Sequence, residues 1–379
     1  MKKLATLFFL VPIVLVAQEK KLINLLNKGD VKALDAYYAK DQNYDEYINL
    51  EVEIYDDIVT YEVHPLVYVT GKNNLTLVHY YLQKFEEISE GQTELYEDII
   101  GEAFAVSISR RNEEISDLLY SKSPNIKATC APCNDANALF IAAAYGNEKW
   151  YFKLKEGSDL TLKNSLGNNL LHAAASGGSP KIVQDVLSLN LFDINSKNND
   201  FFNDTPLNLS MKHESEEVFN LLIEAGADIN ISEYLWFSAI EIVNQQIWDY
   251  VSTKASAALL FSITETGELP LHYALSTDKT NIAVWMMTQM KGQCNNESQV
   301  ITEAFYMNEY DPILYTIEFE NQRAFEAFID FSAHMNTCVS DYQMIPIYTY
   351  VRKRAAKVFG KAYVEELYQK YGVQEIKEL

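Results

Sequence analysis

Between Asp204 and Asn230 the chain reads DTPLNLSMKHESEEVFNLLIEAGADIN, and this stretch limits the possible folds more than any other. Thr205-Pro206 has the form of a helix start, with a hydroxyl to cap free amides and a proline at the first helical position, where no N–H is needed. The pattern predicts a short helix to about Lys212, then a turn over 213–216. Val218, Phe219, Leu221, Leu222 and Ile223 follow with apolar groups at helical spacing, and Gly226 is free to take the left-handed geometry of a helix stop. Helices this short do not stand alone in water. The pair buries its apolar face only if copies of it stack alongside, so copies must recur along the chain.

They do recur. With Leu207 as the register mark, equivalent positions fall at Leu66, Phe104, Leu139, Leu171, Trp236, Leu271, Ile313 and Ile347. From Leu66 onward the steps are 38, 35, 32, 36, 29, 35, 42 and 34 residues. The best-formed copies are Leu170-Leu171-His172-Ala173-Ala174, Leu269-Pro270-Leu271-His272-Tyr273-Ala274 and Leu222 to Asn230. A period of about 33 residues with T-P-L-H-x-A opening the first helix is the mark of ankyrin repeats. The chain resembles that family. The resemblance implies an all-α solenoid of about ten helix-turn-helix units joined by irregular finger loops, near residues 20–40, 64–87, 95–122, 137–160, 169–192, 205–228, 234–253, 269–290, 311–335 and 346–372. Residues 18–379 are then expected to form one domain.

Two stretches depart from the pattern. Residues 41–63, rich in Tyr and acid, are longer than the turn that joins ankyrin units, and an extended or partly helical insertion is expected there. Residues 291–310 form a second long connection, with a helical pattern over 300–306. At the end of the chain, Arg352-Lys353-Arg354 reads as a basic turn before a polar capping helix, and Phe328 to Asn336 echoes the ending of the 204–230 unit.

Charge narrows the choice of partners. Lys and Arg number 31 against 53 Asp and Glu, a balance of −22. Such a surface repels phosphate backbones and anionic lipid heads, so nucleic-acid binding is not expected, whereas a basic protein partner fits. Residues 1–17 stand apart: Lys2-Lys3, the apolar run Leu4 to Val16 and then Ala17 match a secretory signal peptide. The run is short for a membrane span. Cleavage would leave a periplasmic or secreted, bacterial-style protein free of the membrane; an uncleaved segment would instead make a membrane-tethered scaffold.

No catalytic set survives a search for one. His213-Glu214 opens no H-E-x-x-H, Gly177-Gly178-Ser179-Pro180 is not a nucleophile elbow, and Asp193-x-Asn195-x-Lys197 places a lysine where a calcium loop needs oxygen. Neither metal nor cofactor is expected. Cys130-x-x-Cys133 has the spacing of a thiol-disulfide redox pair but lacks the strand-helix setting of one, and an exported protein would use it as a local brace. Cys294 and Cys338 follow consecutive units and are expected to form the second disulfide, closing a loop worth about 3–4 kcal/mol. His172 and His272 occupy the TPLH position, where the resemblance implies bonds to nearby backbone.

The aromatics that need a separate explanation lie on connections. Tyr55, Asp56 and Asp57, Phe201 and Phe202, and Tyr306 and Tyr310 combine rings and acids on segments that, in ankyrin proteins, form fingers beside the concave groove. Such rings are typical interface anchors; the other reading is that they are buried loop residues. The sequence therefore points to a non-enzymatic, exported, monomeric module that binds a basic protein on a concave acidic face, as an inhibitor or immunity-type binder would. A redox factor using Cys130 and Cys133 is the alternative from another class.

Overall fold

The computed structural model describes residues 17–39, 47–54, 57–88, 93–200, 202–213, 215–264, 268–292, 312–337, 347–373 and 375–376. The expected signal segment, apart from Ala17, lies outside them. The chain divides into two compact units, Met1–Asp200 with Thr205–Ala227, and Phe201–Asp204 with Asp228–Leu379.

In the first unit, α1 (Ala17–Lys28) and α2 (Val31–Tyr38) precede an antiparallel hairpin of β1 (Ile48–Ile54) and β2 (Asp57–Val63). Helices then alternate in pairs: α3 (Pro65–Gly71) and α4 (Leu75–Ile88), α5 (Thr93–Ser109) and α6 (Glu113–Tyr120), α7 (Ala138–Ala144) and α8 (Glu148–Leu154), α9 (Leu170–Gly177) and α10 (Pro180–Ser188), α11 (Pro206–His213) and α12 (Glu216–Glu224). First helices pack in series, α3 on α5, α5 on α7, α7 on α9 and α9 on α11, while α8, α10 and α12 form the second row. Between α6 and α7 lies a small antiparallel pair, β3 (Thr129–Cys130) and β4 (Ala136–Asn137).

The second unit repeats the scheme with α13 (Leu235–Ala239) and α14 (Gln245–Lys254), α15 (Pro270–Ser276) and α16 (Thr280–Lys291), α17 (Pro312–Glu318) and α18 (Gln322–Asn336), and α19 (Thr349–Val358) and α20 (Lys361–Tyr371). Here α13 meets α15, α15 meets α17 and α17 meets α19, with α16, α18 and α20 behind. A short parallel pair joins β5 (Ile347–Tyr348) to β6 (Glu375–Ile376).

The repeat is written in the backbone as well as in the apolar pattern. The turn between paired helices passes through a left-handed residue at Gly29, Asn73, Arg111, Gly146, Gly178, Asp278 and Glu320. Asn73, Arg111, Gly146 and Gly178 are separated by the same 38, 35 and 32 residues as Leu66, Phe104, Leu139 and Leu171. At most of these turns the next residue caps the second helix: Asp30 accepts from the Ala33 amide at 3.1 Å, Asn112 from Ile115 at 3.1 Å, Asn147 from Trp150 at 3.2 Å, Ser179 from Ile182 at 3.4 Å and Asn321 from Ala324 at 3.0 Å. One left-handed residue reverses the chain and one cap restarts the helix, fixing the angle at which each second helix folds back. In the 204–230 unit, Thr205 caps through Asn208 at 3.3 Å and Gly226 sits at φ 96°, as its sequence predicts.

Three expectations need correction. The fold is predominantly helical but not all-α: the insertion before α3 is a two-stranded ribbon, in register from Ile48 opposite Val63 to Ile54 opposite Asp57. Ile48, Leu50, Val52 and Ile54 alternate with polar residues, a period that suits a strand and no helix. Arg352-Lys353-Arg354 is no turn. It lies inside α19, the reversal falls at Gly360 (φ 95°), and Arg352 reaches forward to pair with Glu365 on α20. Phe328 to Asn336 does not end as 204–230 does, because Ser332-Ala333 stand where Gly226 would break the helix, and α18 runs unbroken to Asn336.

Candidate functional site

The Cys130-x-x-Cys133 motif forms a finger of the first unit. A disulfide joins the two residues, whose Cα atoms are 5.0 Å apart, and Cys130 is fully enclosed. Asn134 and Asp135 both take left-handed geometry (φ 57°), held by the Asp135 amide donating to the Cys130 carbonyl at 3.0 Å. The turn is also the first rung of a ladder between fingers. The Ser165 amide donates to the Asn134 carbonyl at 2.9 Å, and the Asn199 amide to the Leu166 carbonyl at 2.7 Å. Strand β2 packs against the same turn. Enclosure shields the Cys130 sulfur from an attacking thiolate, so the arrangement suits a brace better than a reagent.

A titratable group lies on α5, the helix that packs against β3. Glu102 on α5 is pushed up to about 7, first by burial and then by the carboxylate of Asp98 one helical turn away. Asp98 itself accepts from the Asn125 side-chain amide at 2.6 Å. Among the described residues no three or more His, Cys, Asp or Glu gather as a metal would require, and no helix is long and apolar enough to cross a membrane.

The second unit carries a different surface. Phe202 is half-buried, with its ring stacked on that of Phe237 (5.7 Å between centroids, 28° between planes) and set steeply against Tyr234 at 6.3 Å. Tyr234 lies 6.0 Å from Phe237, and Tyr273 is 6.1 Å from Phe237. The rings converge because Tyr234 and Phe237 belong to the start of α13 and Tyr273 to α15, two first helices that pack together. Ser238 on α13 donates to Asp204 at 3.3 Å, tying the Phe202 finger to the same helix. Tyr315 on α17 stands two residues past its register mark, as Tyr273 does on α15. Phe202, Tyr234, Tyr273 and Tyr315 all keep part of their surface in solvent.

Behind this face the unit is firmly packed. Trp236 is buried against Trp248 and Trp285, with centroids 6.3 and 5.0 Å away. The His272 ring accepts from the Leu269 amide at 3.1 Å, and burial pushes it down to about 4, so it is neutral. His172 makes the corresponding bond to the Asn169 amide at 3.4 Å. Over residues 228–278 the charge is one-sided, with seven carboxylates against Lys254 alone.

Of the residues expected at a partner-binding face, Tyr55, Asp56, Phe201, Tyr306 and Tyr310 lie outside the described residues, as do Cys294 and Cys338. Asp57 opens β2, opposite Ile54. Phe202 is the one whose ring contacts are described, and its companions Tyr234, Phe237 and Tyr273 are residues that sequence reasoning missed. The available signal was the variable position of the T-P-L-H-x-A motif, where Tyr273 and Tyr315 stand.

Comparison with known proteins agrees with the stacked pairs: residues 139–233 match the family model for ankyrin repeats (3 copies). Residues 139–233 carry ankyrin repeats. The matched span opens at Leu139 on α7 and ends at Glu233, beside the aromatic face. A 119-residue segment, 31% of the chain, is 28% identical to alpha-latrocrustotoxin-Lt1a of Latrodectus tredecimguttatus, and covers 8% of that protein's length. Ankyrin repeats indicate a protein–protein interaction module.

Proposed function

We propose that this ankyrin-repeat protein is a non-enzymatic, exported binder that captures a basic protein on an acidic concave face, as an inhibitor or immunity-type protein would. The half-exposed rings of Phe202, Tyr234 and Tyr273, lying on a finger and on first helices within a stretch of seven carboxylates and one lysine, carry the reading. Large rings at a face depleted of opposing charge are where interface energy concentrates. Residues 1–17 act as a cleaved signal, the ten units form one domain over 18–379, and the protein works as a monomer without a membrane anchor. Cys130–Cys133 and a Cys294–Cys338 bridge serve as braces in an oxidising compartment.

The test is affinity capture from native envelope and extracellular fractions with the wild type and with Phe202→Ala/Tyr273→Ala. The expected result is a basic protein that the wild type retains, salt releases and the double variant loses. Recovery of only acidic proteins, or equal retention by the variant, refutes the reading. Sequencing the N-terminus of the mature chain tests export separately, since a chain still starting at Met1 is incompatible with cleavage.

A further inference from the structure

We infer that a pocket at the ends of α10 and α12 receives one large apolar side chain of a protein partner, from a segment that carries basic residues on either side of it. The inference rests on the interaction reading above and adds a contact in the first unit, apart from the aromatic face.

The pocket arises from a departure within the repeat. Asp159, Asp193 and Asp228 hold one place in successive repeats, each accepting a hydrogen bond from the amide two residues on, at 2.8, 2.9 and 2.9 Å. The two residues before them are Gly157-Ser158 in the first of these repeats, Gly226-Ala227 in the last, and Leu191-Phe192 in the middle one. Large apolar groups thus stand where the neighbouring repeats keep small ones. Leu191 is 51% exposed and Phe192 is half-buried. With Ile194 they wall a cavity of about 240 Å³ against Leu171 on α9 and Val186 and Leu187 on α10. Exposed apolar groups gathered around a hollow, as opposed to scattered singly, mark an interaction site.

Size decides between a side chain and a free ligand. At roughly 30 Å³ per water molecule the cavity holds about eight waters, and it falls below the ~300 Å³ at which small-molecule sites begin. One aromatic side chain matches that space.

Charge sets what flanks the inserted group. Asp193 lies between two residues of the wall, and Glu224 precedes Ala225, which also lines the cavity. Both carboxylates are exposed. Because α10 and α12 end here, the partial negative charge of two helix C-termini adds to theirs. No lysine or arginine lies between Lys181 and Lys197, or from Ser215 to Ala227. The cations on or against α10 are already paired, Lys181 with Glu148 at 2.8 Å and Lys155 with Asp185 at 2.7 Å, and Lys197 also takes part in an interaction within the chain. Basic residues beside the inserted side chain would complement this rim.

The experiment uses the full chain with isotope-labelled Leu, Val and Ile methyl groups and follows those of Leu187, Leu191 and Ile194 by NMR as synthetic peptides are added. Four nine-residue peptides in a Ser/Gly background carry Trp between two Lys, Trp between two Glu, Trp between two Ser, and Ala between two Lys. The Lys-flanked Trp peptide is expected to shift all three signals and to bind about tenfold tighter than the Glu-flanked one, with the Ser-flanked one between them and no shift from the Ala peptide. Ala225→Leu, which fills the cavity from an exposed position, and Leu191→Ser, which removes part of its wall, are each expected to weaken binding of the Trp peptides about tenfold. Asp193→Asn/Glu224→Gln keeps shape and removes charge, and is expected to bring the Lys-flanked and Ser-flanked peptides to similar affinity. Circular dichroism and the thermal midpoint serve as checks of folding. Unmoved methyl signals, equal affinity for the Lys-flanked and Glu-flanked peptides, or full binding by a folded Ala225→Leu overturns the inference. Signals that move with protein concentration alone would make a second copy of the chain the occupant and overturn it as well. None of these results touches the capture test with Phe202→Ala/Tyr273→Ala, whose residues belong to the other unit, so the two readings fail separately.

Discussion

The regular repeats of the first unit and the abbreviated ones of the second use the same helix pair to opposite ends. In the first, α7 and α9 offer Ala142, Ala143, Ala173, Ala174 and Ala175, and the backbones approach so closely that a Cβ on Gly177 would lie 1.9 Å from the Ala143 carbonyl oxygen. Their outer rows are laced by ions of both signs, Lys149 with Glu113 and Asp117, Lys181 with Glu148. Residues 97–200 hold ten basic and thirteen acidic groups. In the second unit Ala239 and Ala274 keep the small position and the second helices are likewise paired by ions, Lys370 with Glu326 and Lys291 with Asp330, but Tyr273 stands where α9 has Ala173, and over 228–278 one basic residue faces seven acidic ones. Small residues let helices stack on each other; large ones at equivalent positions leave part of their surface for something else to cover. The scaffold is common, and what differs is where its apolar area is directed.

Removing a ring hub should show this most strongly. Trp150 is fully buried, edge-on to Phe104 at 4.8 Å and tilted on Tyr120 at 5.1 Å. Trp150→Ala is expected to cost about 3–5 kcal/mol in urea unfolding, with loss of hydrogen-exchange protection over α7 to α10. Tyr273→Ala, which removes a half-exposed ring, should cost far less. Equal losses would mean that Tyr273 is core, and the contrast between the units would fail.

The units also carry buried groups that titrate in opposite senses. Below pH 4.5 Glu102 is neutral in the folded and unfolded chain; from there to about 7 the unfolded chain has released a proton that the folded one keeps, so stability falls as pH rises. His272 behaves inversely. Above 6.5 it is neutral in both states, and between 6.5 and about 4 only the unfolded chain takes up the proton, so stability falls as pH drops. Each effect is bounded at roughly 3 kcal/mol when fully developed. Hydrogen exchange between pH 4 and 7.5 should show α5 losing protection toward the upper end and α15 toward the lower, with Glu102→Gln abolishing the first trend alone. A flat profile at α5 in the wild type would show that Glu102 is charged throughout.

What could be read from the residues was what they decide locally. Thr205 caps, Gly226 turns left-handed and His272 bonds the Leu269 amide, because each interaction spans three or four residues. An extended or partly helical insertion was legible over 41–63, and the alternation of Ile48, Leu50, Val52 and Ile54 favours the first, whereas the pairing of β1 with β2 depends on residues apart in sequence. The aromatic face was not local. Phe202 and Phe237 meet across thirty-five positions, a contact set by how the finger and α13 are held together, as by Ser238 and Asp204, and a helix aromatic taken alone reads as core.

Close stacking in the first unit predicts an intolerance the second should lack. Gly177→Ala drives a methyl into the Ala143 carbonyl, and both groups belong to packed first helices with little room to move. A loss of about 1–3 kcal/mol is expected in chemical denaturation. Thr277 holds the equivalent place after α15, six residues past Leu271 as Gly177 is past Leu171, so the second unit already accommodates a Cβ there and Thr277→Ala should cost less than about 1 kcal/mol. Similar losses at both would show that the spacing of first helices is not what sets the units apart.

The smallest expected effect lies in the turns. The first unit reverses the chain at Gly29, Gly146 and Gly178 but also at Asn73 and Arg111, and the second does so at Asp278 and Glu320, the latter at φ 51° and exposed. A side chain in that region crowds its own carbonyl, at a cost of about 1 kcal/mol that glycine avoids, although glycine also gains freedom in the unfolded chain and returns part of the benefit. Glu320→Gly should therefore stabilise the second unit by a few tenths of a kcal/mol to about 1, and Gly146→Ala should destabilise the first, since its Cβ would also lie 2.4 Å from the Gly177 carbonyl oxygen. Thermal melts of the two variants moving in opposite directions would establish that the turns share one geometry, reached without strain at Gly146 and against it at Glu320. A Glu320→Gly variant less stable than the wild type would mean that this side chain holds its turn through contacts worth more than the strain it bears.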